Sequence, residues 1–356
     1  MSDPLRVAFT LEQCWHDVPG GTAVATLEVA KRLISRTDID LVGVAGRHRA
    51  APGPGFKPPA PVKFLPLARP WLYETWNRFE WPSVERAAGA IDLCHSTTAI
   101  PAATRSPHIV TIHDIAFMYS PERFTSHGVK VMTRGLERCR SADLIMCPTE
   151  VTRGELIDVG FAANTIRVVP WGVNAVLADA KPSEQTLRPY SLPDEFVLFV
   201  GTVEPRKNLA ALAAATAMID MPLVIAGAPG WGDAAVPPNA DIRFLGHVPA
   251  DVLSALYVTA SVFAYPSLHE GFGLPVLEAM AHGAPVVTSR GTATEEVAGG
   301  AAVLVDPADV ESIAAGLRTA FDDAPELVRL GTNRAAACSW ENTAEATVEC
   351  YREVVA

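Results

Sequence analysis

The feature that most constrains the fold is a regular alternation of short apolar runs with amphipathic segments. Most apolar runs are followed by a helical pattern, such as residues 21–35 after the first run. Apolar strands that alternate with helices predict parallel sheets covered on both faces, so we expect an α/β protein built from doubly wound, Rossmann-like domains. The predicted strands are 5–11, 40–46, 108–113, 143–149, 196–201, 222–227, 242–246, 261–267, 284–289 and 301–306.

The length predicts two domains, because 356 residues exceed what one hydrophobic core usually serves. Residues 49–64 are rich in Pro and Gly, and we interpret them as a surface loop because the strand–helix rhythm resumes after them. Residues 171–196 have little periodicity and form the best boundary. We therefore expect domains over 1–170 and 190–339, with a helix over 340–356 that packs back on the first.

The predicted topology also indicates where ligands bind. In open parallel sheets, ligands bind beyond the carboxyl ends of the strands. Two such domains that face each other would form an interdomain cleft. The chemistry would then come from strand-to-helix turns on both domains.

The charge argues against a nucleic-acid partner, since the net charge is −11. Residues 1–180 contain 19 Lys and Arg against 18 Asp and Glu, whereas residues 181–356 contain 10 against 22. The N-terminal half could thus meet an anionic acceptor or a membrane surface more easily. The alternative is that both halves are simply solvated.

The apolar runs, the opening residues and the cysteines predict a cytoplasmic protein. Contact with the inner face of the membrane remains an alternative. No apolar run reaches the eighteen residues of a membrane span, and the opening residues "MSDPLRVAFTLEQ" lack the features of a signal peptide. The six cysteines form no C-x-x-C pair and no His/Cys cluster at zinc spacing. We expect reduced, mostly buried thiols and no metal site.

The stretch "HEGFGLPVLEAMAHGAPVVTS", residues 269–289, predicts a ligand-binding turn between a strand and a helix. Its glycines allow backbone N–H groups to approach a ligand, and the first N–H groups of the helix favour a phosphate. Ionised Glu270 and Glu278 can only accept hydrogen bonds, so they suit hydroxyl groups on either side of a diphosphate, as in a nucleotide-sugar. The alternative is that Glu278 complements the helix dipole and Glu270 is a solvated loop charge.

Other turns carry further candidates. Arg206 and Lys207 precede a helix, where cations are unfavourable unless an anion lies between them. Gly20 and Gly21 also precede a helix, so they mark either an anion or sugar contact or a tight turn. His113, followed by Asp114, ends a predicted strand, where active groups are often found.

Together these motifs resemble the retaining glycosyltransferases of family 4, which have the two-domain GT-B fold. The resemblance covers nearly the whole chain and is most specific over residues 266–289. It implies that Glu278 binds the ribose hydroxyls and Glu270 the hydroxyls of the donor sugar, and that His113 lies against the sugar near the reacting carbon. It also implies that Arg206 and Lys207 neutralise the diphosphate. Further donor contacts are expected from Gly21, from the backbone of Phe272, Gly273 and Leu274, and from Val248 at the base.

The resemblance implies a hexose transfer from a GDP-mannose-type or UDP-hexose donor, with no metal and no cofactor. The variant "GTVEPRKNL", residues 201–209, resembles bacterial transferases for mannose and related sugars. The acceptor could be a saccharide, a lipid-linked molecule or a small molecule. The aromatic segment over residues 71–81 could line its site, but a core helix is the preferred interpretation. A nucleotide-sugar 2-epimerase of the same fold and a non-catalytic binding subunit remain alternatives.

Overall fold

The computed structural model describes residues 3–16, 20–53, 55–174, 184–228 and 240–356. The chain divides into two compact units, one of Met1–Trp171 with Trp340–Ala356 and the other of Gly172–Ser339. Part of the predicted boundary, residues 175–183, lies outside the described residues.

In the described part of the first unit, parallel strands pair in the order β3-β2-β1-β4-β5-β6-β7. The order reverses at β1, so the ends of β1 and β4 flank a topological switch point, where ligands of such sheets bind. The strands are β1 Leu5–Thr10, β2 Ile39–Ala45, β3 Val62–Phe64, β4 Leu93–Ser96, β5 His108–Thr111, β6 Leu144–Cys147 and β7 Ile166–Val168.

Helices cover this sheet. Two of them have a threonine N-cap: Thr125 accepts from the Gly128 N–H, and Thr149 accepts from the Thr152 N–H. The helices are α1 Gly20–Leu33, α2 Trp71–Phe79, α3 Glu85–Ala88, α4 Ala116–Tyr119, α5 Ser126–Cys139 and α6 Glu150–Asp158.

The second unit repeats the design. Its described strands are also parallel, in the order β10-β9-β8-β11-β12-β13, and the switch point lies between β8 and β11. The strands are β8 Val197–Val200, β9 Leu223–Ala226, β10 Ile242–Gly246, β11 Val262–Tyr265, β12 Val286–Ser289 and β13 Val303–Val305. The helices are α7 Glu184–Leu187, α8 Leu209–Ala217, α9 Ala250–Thr259, α10 Leu274–Ala281, α11 Ala293–Ala298, α12 Val310–Asp322 and α13 Ala324–Ala337.

The last helix, α14 (Trp340–Val355), belongs to the first unit. It packs on α1, where Arg32 forms an ion pair with Glu341 at 3.0 Å. Its buried Tyr351 hydroxyl lies 2.7 Å from Nδ1 of His95, a residue of β4. Burial lowers the pKa of His95 to about 3, so this histidine is neutral and serves as a structural link between helix and sheet.

The predicted α/β class with two doubly wound sheets is confirmed. Three described strands, β3, β4 and β7, were not predicted, since each is short and has a polar or charged residue in its apolar pattern. Residues 71–79 form a helix that buries Leu72 and Trp76. All six cysteines lie in the described part of the chain and form no disulfide, and five of them, all but Cys338, are buried. Among the described residues, no helix has both the length and the apolarity needed to cross a bilayer.

Candidate functional site

The turns after β8 and β11 bring Arg206, Lys207 and Glu270 into direct contact. The Lys207 ammonium lies 2.6 Å from Oε1 of Glu270, and the Arg206 guanidinium lies 2.7 Å from Oε2. Each oxygen of this carboxylate therefore holds one cation. Lys207 and Glu270 are each only 7% exposed, which rules out the alternative that Glu270 is a solvated loop charge.

Two further residues complete the cluster. Arg206 also donates to Glu204 at 2.7 Å, and Lys207 donates to the hydroxyl of Tyr265 at the end of β11. The Arg206 guanidinium reaches the carbonyl oxygen of His269 at 2.9 Å, which ties the two turns together. The cluster thus lies at the switch point of the second sheet, where the topology favours a ligand.

Burial and charge act in opposite directions on Glu270. Burial alone would raise the pKa of its carboxyl group, but Arg206 and Lys207 lower it from 4.5 to about 2. Because the folded-state pKa is the lower one, the ion pairs contribute their full stability above about pH 4.5 and lose it as the pH falls towards 2. Burial lowers the pKa of Lys207, and the Glu270 carboxylate works against that shift.

The glycine turn ends at the N-terminus of α10. Gly273 is its N-cap, with φ at +99°, and a Cβ there would approach Thr294 Cγ2 to 2.6 Å. Only glycine fits both the left-handed conformation and this close contact. Phe272 and Leu274 on either side are buried, and Pro275 follows in the first turn. Pro275 has no N–H, and the Val276 N–H donates to the Gly273 carbonyl oxygen at 2.9 Å. An anion at this terminus would therefore meet the N–H groups at the very start of the helix.

Glu278 is the fifth residue of α10 and lies just beyond the first turn of the helix. Its carboxylate accepts from the Tyr257 hydroxyl at 3.0 Å, and burial raises its pKa. The helix dipole acts mainly within the first turn, so this position argues against a purely dipolar role. Val248, also buried, lies in the turn between β10 and α9.

Asn208 connects the turn after β8 to two other turns of the second unit. It occupies the N-cap position of α8 with φ at +61°, but its side chain does not cap the helix. Its amide instead donates to the carbonyl oxygens of Pro266 at 3.1 Å and Pro307 at 2.7 Å. Asn208 therefore joins the turn that carries Lys207 to the turn after β11 by a hydrogen bond.

In the first unit, His113 lies two residues beyond β5, and its Nε2 is 2.7 Å from the carbonyl oxygen of Thr97. A carbonyl oxygen only accepts, so Nε2 carries the hydrogen. Burial lowers the pKa of His113, which leaves a neutral ring whose Nδ1 is a lone pair. This Nδ1 is buried and has no hydrogen-bond partner in the described part of the chain.

The other candidate residues of the first unit lie in local turns or at a helix start. Asp114 accepts from the Ala116 N–H at 3.0 Å and so stabilises the local turn. Gly20 and Gly21 are the first two residues of α1, and both are exposed. Within the described ranges, no group of three His, Cys, Asp or Glu side chains is arranged to hold a metal ion.

The residues that hold Thr97 were not predicted from the sequence. Its N–H donates to the Thr10 hydroxyl at 2.9 Å, and its own hydroxyl donates to the Thr10 carbonyl at 2.6 Å. A threonine hydroxyl has one hydrogen, so the Gln13 amide, 2.6 Å away, must donate to it. The only sequence signal for these contacts is the position of the two threonines. Thr10 is the last residue of the apolar strand β1, and Thr97 directly follows β4.

Two family models match most of this chain between them. The family described as "Glycosyltransferase Family 4" matches residues 19–176, and "Glycosyl transferases group 1" matches residues 194–323. The O-antigen chain mannosyltransferase B of Escherichia coli is 35% identical over 265 residues, which span 68% of this chain and 70% of that protein.

Solved structures show the same fold. Sucrose-phosphate synthase from Thermosynechococcus elongatus superimposes with a TM-score of 0.73 at 18% identity, over 98% of each chain. HepE from Anabaena, in complex with UDP and glucose, gives 0.71 at 18% identity, over 98% of this chain and 100% of that one. On its fold and on the sequence relationship to the mannosyltransferase, this chain belongs to glycosyltransferase family 4 and has the GT-B fold.

Proposed function

We propose that this glycosyltransferase moves mannose from GDP-mannose to a hydroxyl group of its acceptor, with retention of the anomeric configuration. The observation that carries the proposal is the buried cluster of Lys207, Arg206 and Glu270 beside the N-terminus of α10. A sugar–phosphate bond that breaks leaves negative charge on the diphosphate. Fixed cations and helix N–H groups are suited to stabilise that charge.

The cluster supports a role in the transition state because it is built before the ligand arrives. Glu270 and Tyr265 fix the Lys207 ammonium, so little reorganisation is needed as charge develops. The electron pair of the broken bond goes to the diphosphate. The acceptor oxygen bonds to the anomeric carbon on the same face, and its proton passes to the departing phosphate oxygen.

The polar side chains suggest how the donor is recognised. In this proposal Glu278 accepts from the ribose hydroxyls and Glu270 from the hydroxyls of the hexose. Nδ1 of His113 can only accept, so its partner would be a sugar hydroxyl that donates. Backbone groups of Gly21, Phe272, Gly273 and Leu274 would contact the sugar and diphosphate, and Val248 would contact the base.

Relatives support mannose as the sugar of the donor. The E. coli protein that matches most of this chain is named a mannosyltransferase. HepE, solved with UDP and glucose, supports UDP-glucose as the competing choice. Thermal-shift measurements with GDP-mannose, UDP-glucose and dTDP-glucose would decide, because a ligand bound only by the native state raises Tm. GDP-mannose should give the largest increase. A larger increase with UDP-glucose would reassign the donor, and no increase with any of the three would overturn the proposal.

The epimerase and binding-subunit alternatives are separable from transfer. Release of GDP should depend on added acceptor, with methyl α-D-mannopyranoside as the first acceptor tested. Conversion of the donor to a new sugar nucleotide without acceptor would indicate an epimerase. Donor binding with no turnover across a panel of acceptors would favour a binding subunit.

Replacing Thr97 by valine should lower kcat about tenfold with little change in the KM for donor. The substitution keeps the shape but removes the hydroxyl that fixes the carbonyl partner of His113, and small displacements of a reacting geometry are costly. Steady-state kinetics would measure this. Thr97→Ser keeps the hydroxyl and should restore most of the rate. Equal losses in both variants would indicate a packing effect instead.

Activity is expected to survive EDTA. Lys207 and Arg206, although paired with Glu270, carry fixed N–H donors that would take the place of a divalent cation at the diphosphate. Transfer rates before and after chelation would test this. Loss of activity that manganese or magnesium restores would contradict it.

We also propose that the first unit contacts an anionic membrane surface. On α2, Trp71 is 69% exposed and Phe79 is 72% exposed, an unusual pair of large apolar side chains. The adjoining α5 carries Lys130, Arg134 and Arg138 at four-residue spacing, and the last two reach acidic side chains on α2 and just after it. Aromatic side chains with nearby cations suit an interface with acidic lipids.

The double variant Trp71→Ser with Phe79→Ser should reduce co-sedimentation with phosphatidylglycerol vesicles several-fold. Phe244→Ser is the control, since Phe244 of the second unit is 56% exposed. Binding to phosphatidylcholine vesicles should be weak for all variants. Equal co-sedimentation of the double variant and the control would contradict a membrane role for α2.

A further inference from the structure

Glu12 is a buried carboxylate that the proposed donor chemistry does not use. It follows β1 and is only 2% exposed. Its Oε2 accepts the Gly46 N–H at 2.6 Å and lies 3.1 Å from Nε2 of His48. Its Oε1 is buried and lacks a hydrogen-bond partner among the residues the structure describes. A buried carboxylate oxygen without a donor is costly, so this atom marks a place for a donor group from outside the protein.

The position of Glu12 in the sheet favours a ligand. β1, β2 and β3 are parallel neighbours, so their carboxyl ends lie at one edge. Glu12 comes two residues after β1, His48 three residues after β2, and Phe64 ends β3. The ligands of open parallel sheets bind at this edge.

Aromatic rings lie beside the carboxylate. Trp15 stacks on His48, with ring centroids 4.5 Å apart and planes inclined by 7°. Phe64 meets Trp15 edge-on at 5.9 Å and is 52% exposed. The indole N–H of Trp15 donates to the carbonyl of Ala50 at 3.0 Å, which fixes the ring. The cluster therefore offers apolar aromatic surface next to an oxygen that can only accept.

We propose that Glu12, Trp15, His48 and Phe64, here called the β1–β3 cluster, bind a neutral sugar residue of the acceptor. A sugar ring supplies both features that the cluster needs: hydroxyl groups that donate to Oε1 and an apolar C–H face for the aromatic rings. A phosphate monoester dianion has no hydrogen to donate, and a carboxylate repels it. The sugar residue bound here therefore carries no phosphate at the position that meets Glu12.

This inference rests on the proposed function, because it assigns the acceptor of the same reaction. It adds a selectivity among acceptors, which the donor site does not determine. Neutral glycosides should be acceptors, whereas glycosides phosphorylated on the hydroxyl that meets Glu12 should be excluded. The Gly46 N–H holds the carboxylate in place, so Oε1 is positioned before the acceptor binds.

Saturation-transfer-difference NMR with methyl α-D-mannopyranoside would test the proposal on the intact protein. Glu12→Gln replaces an acceptor by an amide and should reduce the saturation transfer to this glycoside. It should also raise the KM for the same glycoside in transfer from GDP-mannose by about tenfold, since a hydrogen bond to a charged group is lost. Phe64→Ala should act in the same direction. Its control is Phe244→Ala, an exposed phenylalanine of the second unit.

The outcomes separate this inference from the proposed function. If GDP-mannose fails to raise Tm but Glu12→Gln still abolishes saturation transfer to the glycoside, the proposed donor is wrong and the sugar site stands. If Glu12→Gln does not fold, Phe64→Ala against Phe244→Ala decides alone. Wild-type saturation transfer in both Glu12→Gln and Phe64→Ala would overturn the inference. Displacement of the glycoside by tetramethylammonium but not by other methyl glycosides would also overturn it, because it would indicate a cation site.

Discussion

Lys207→Ala is expected to lower kcat by at least about a hundredfold at saturating donor, as loss of a preorganised charge at the leaving group would predict. The Lys207 ammonium is buried and held by Glu270 and Tyr265, so water cannot easily replace it. A hundredfold loss corresponds to about 2.7 kcal/mol of transition-state stabilisation. Steady-state turnover with the donor saturating is the measurement.

Stability must be followed in the same variant. Removing one partner of a buried ion pair leaves charge uncompensated, although Arg206 would still neutralise Glu270. Lys207→Met keeps the aliphatic stem, so it separates the loss of charge from the loss of packing. A half-exposed lysine of the first unit, Lys31, is the control, and Lys31→Ala should turn over normally. Near wild-type turnover by a folded Lys207→Ala would remove Lys207 from the chemistry.

The two glutamates are expected to give different kinetics. Glu270→Gln should mainly lower kcat, because in the proposed function Glu270 meets the reacting sugar, and it also fixes both cations. Glu278→Gln should mainly raise the KM for donor, because the ribose does not change during the reaction. Effects of on the order of tenfold or more in the affected constant are expected from lost charge-assisted hydrogen bonds.

Tyr257→Phe is a matched control for Glu278. It removes the hydroxyl that donates to this carboxylate and leaves the carboxylate itself. Its effect on donor KM should be smaller than that of Glu278→Gln, and melting curves should show that each variant is folded. The assignment of ribose and sugar would be wrong if Glu270→Gln and Glu278→Gln altered the same constant, or if neither altered donor kinetics.

Local patterns were enough to predict the turns but not their contacts. Arg206, Lys207 and Glu270 stand in recognisable strand–turn–helix segments, and this placement follows from periodicity and glycine. The pairing of Lys207 with Glu270 joins residues 63 positions apart in the chain. It depends on the strand order, which places β8 beside β11. Neither segment alone indicates this strand order.

The strand β4 and the buried polar residues that were not predicted have a similar explanation. β4 has the sequence LCHS, and its two polar residues weaken an apolar pattern, yet His95 is buried because Thr111 and Tyr351 satisfy both ring nitrogens. Glu12 and Gln13 likewise look like solvated polar residues, and both are buried through partners from distant segments. Polar burial of this kind is decided by tertiary hydrogen bonds, which a single sequence does not display.

The position of α14 has a consequence for the order in which the chain can fold during synthesis. Residues 172–339 form a continuous unit, so the ribosome delivers all of it before residue 340 appears. The sheet of the first unit is synthesised first. This unit nevertheless lacks α14, and with it the Tyr351 partner of His95, until the last residues emerge. Domains usually complete in the order of synthesis. Here the unit that begins the chain would be completed last, and loss of only the final seventeen residues would damage the N-terminal fold.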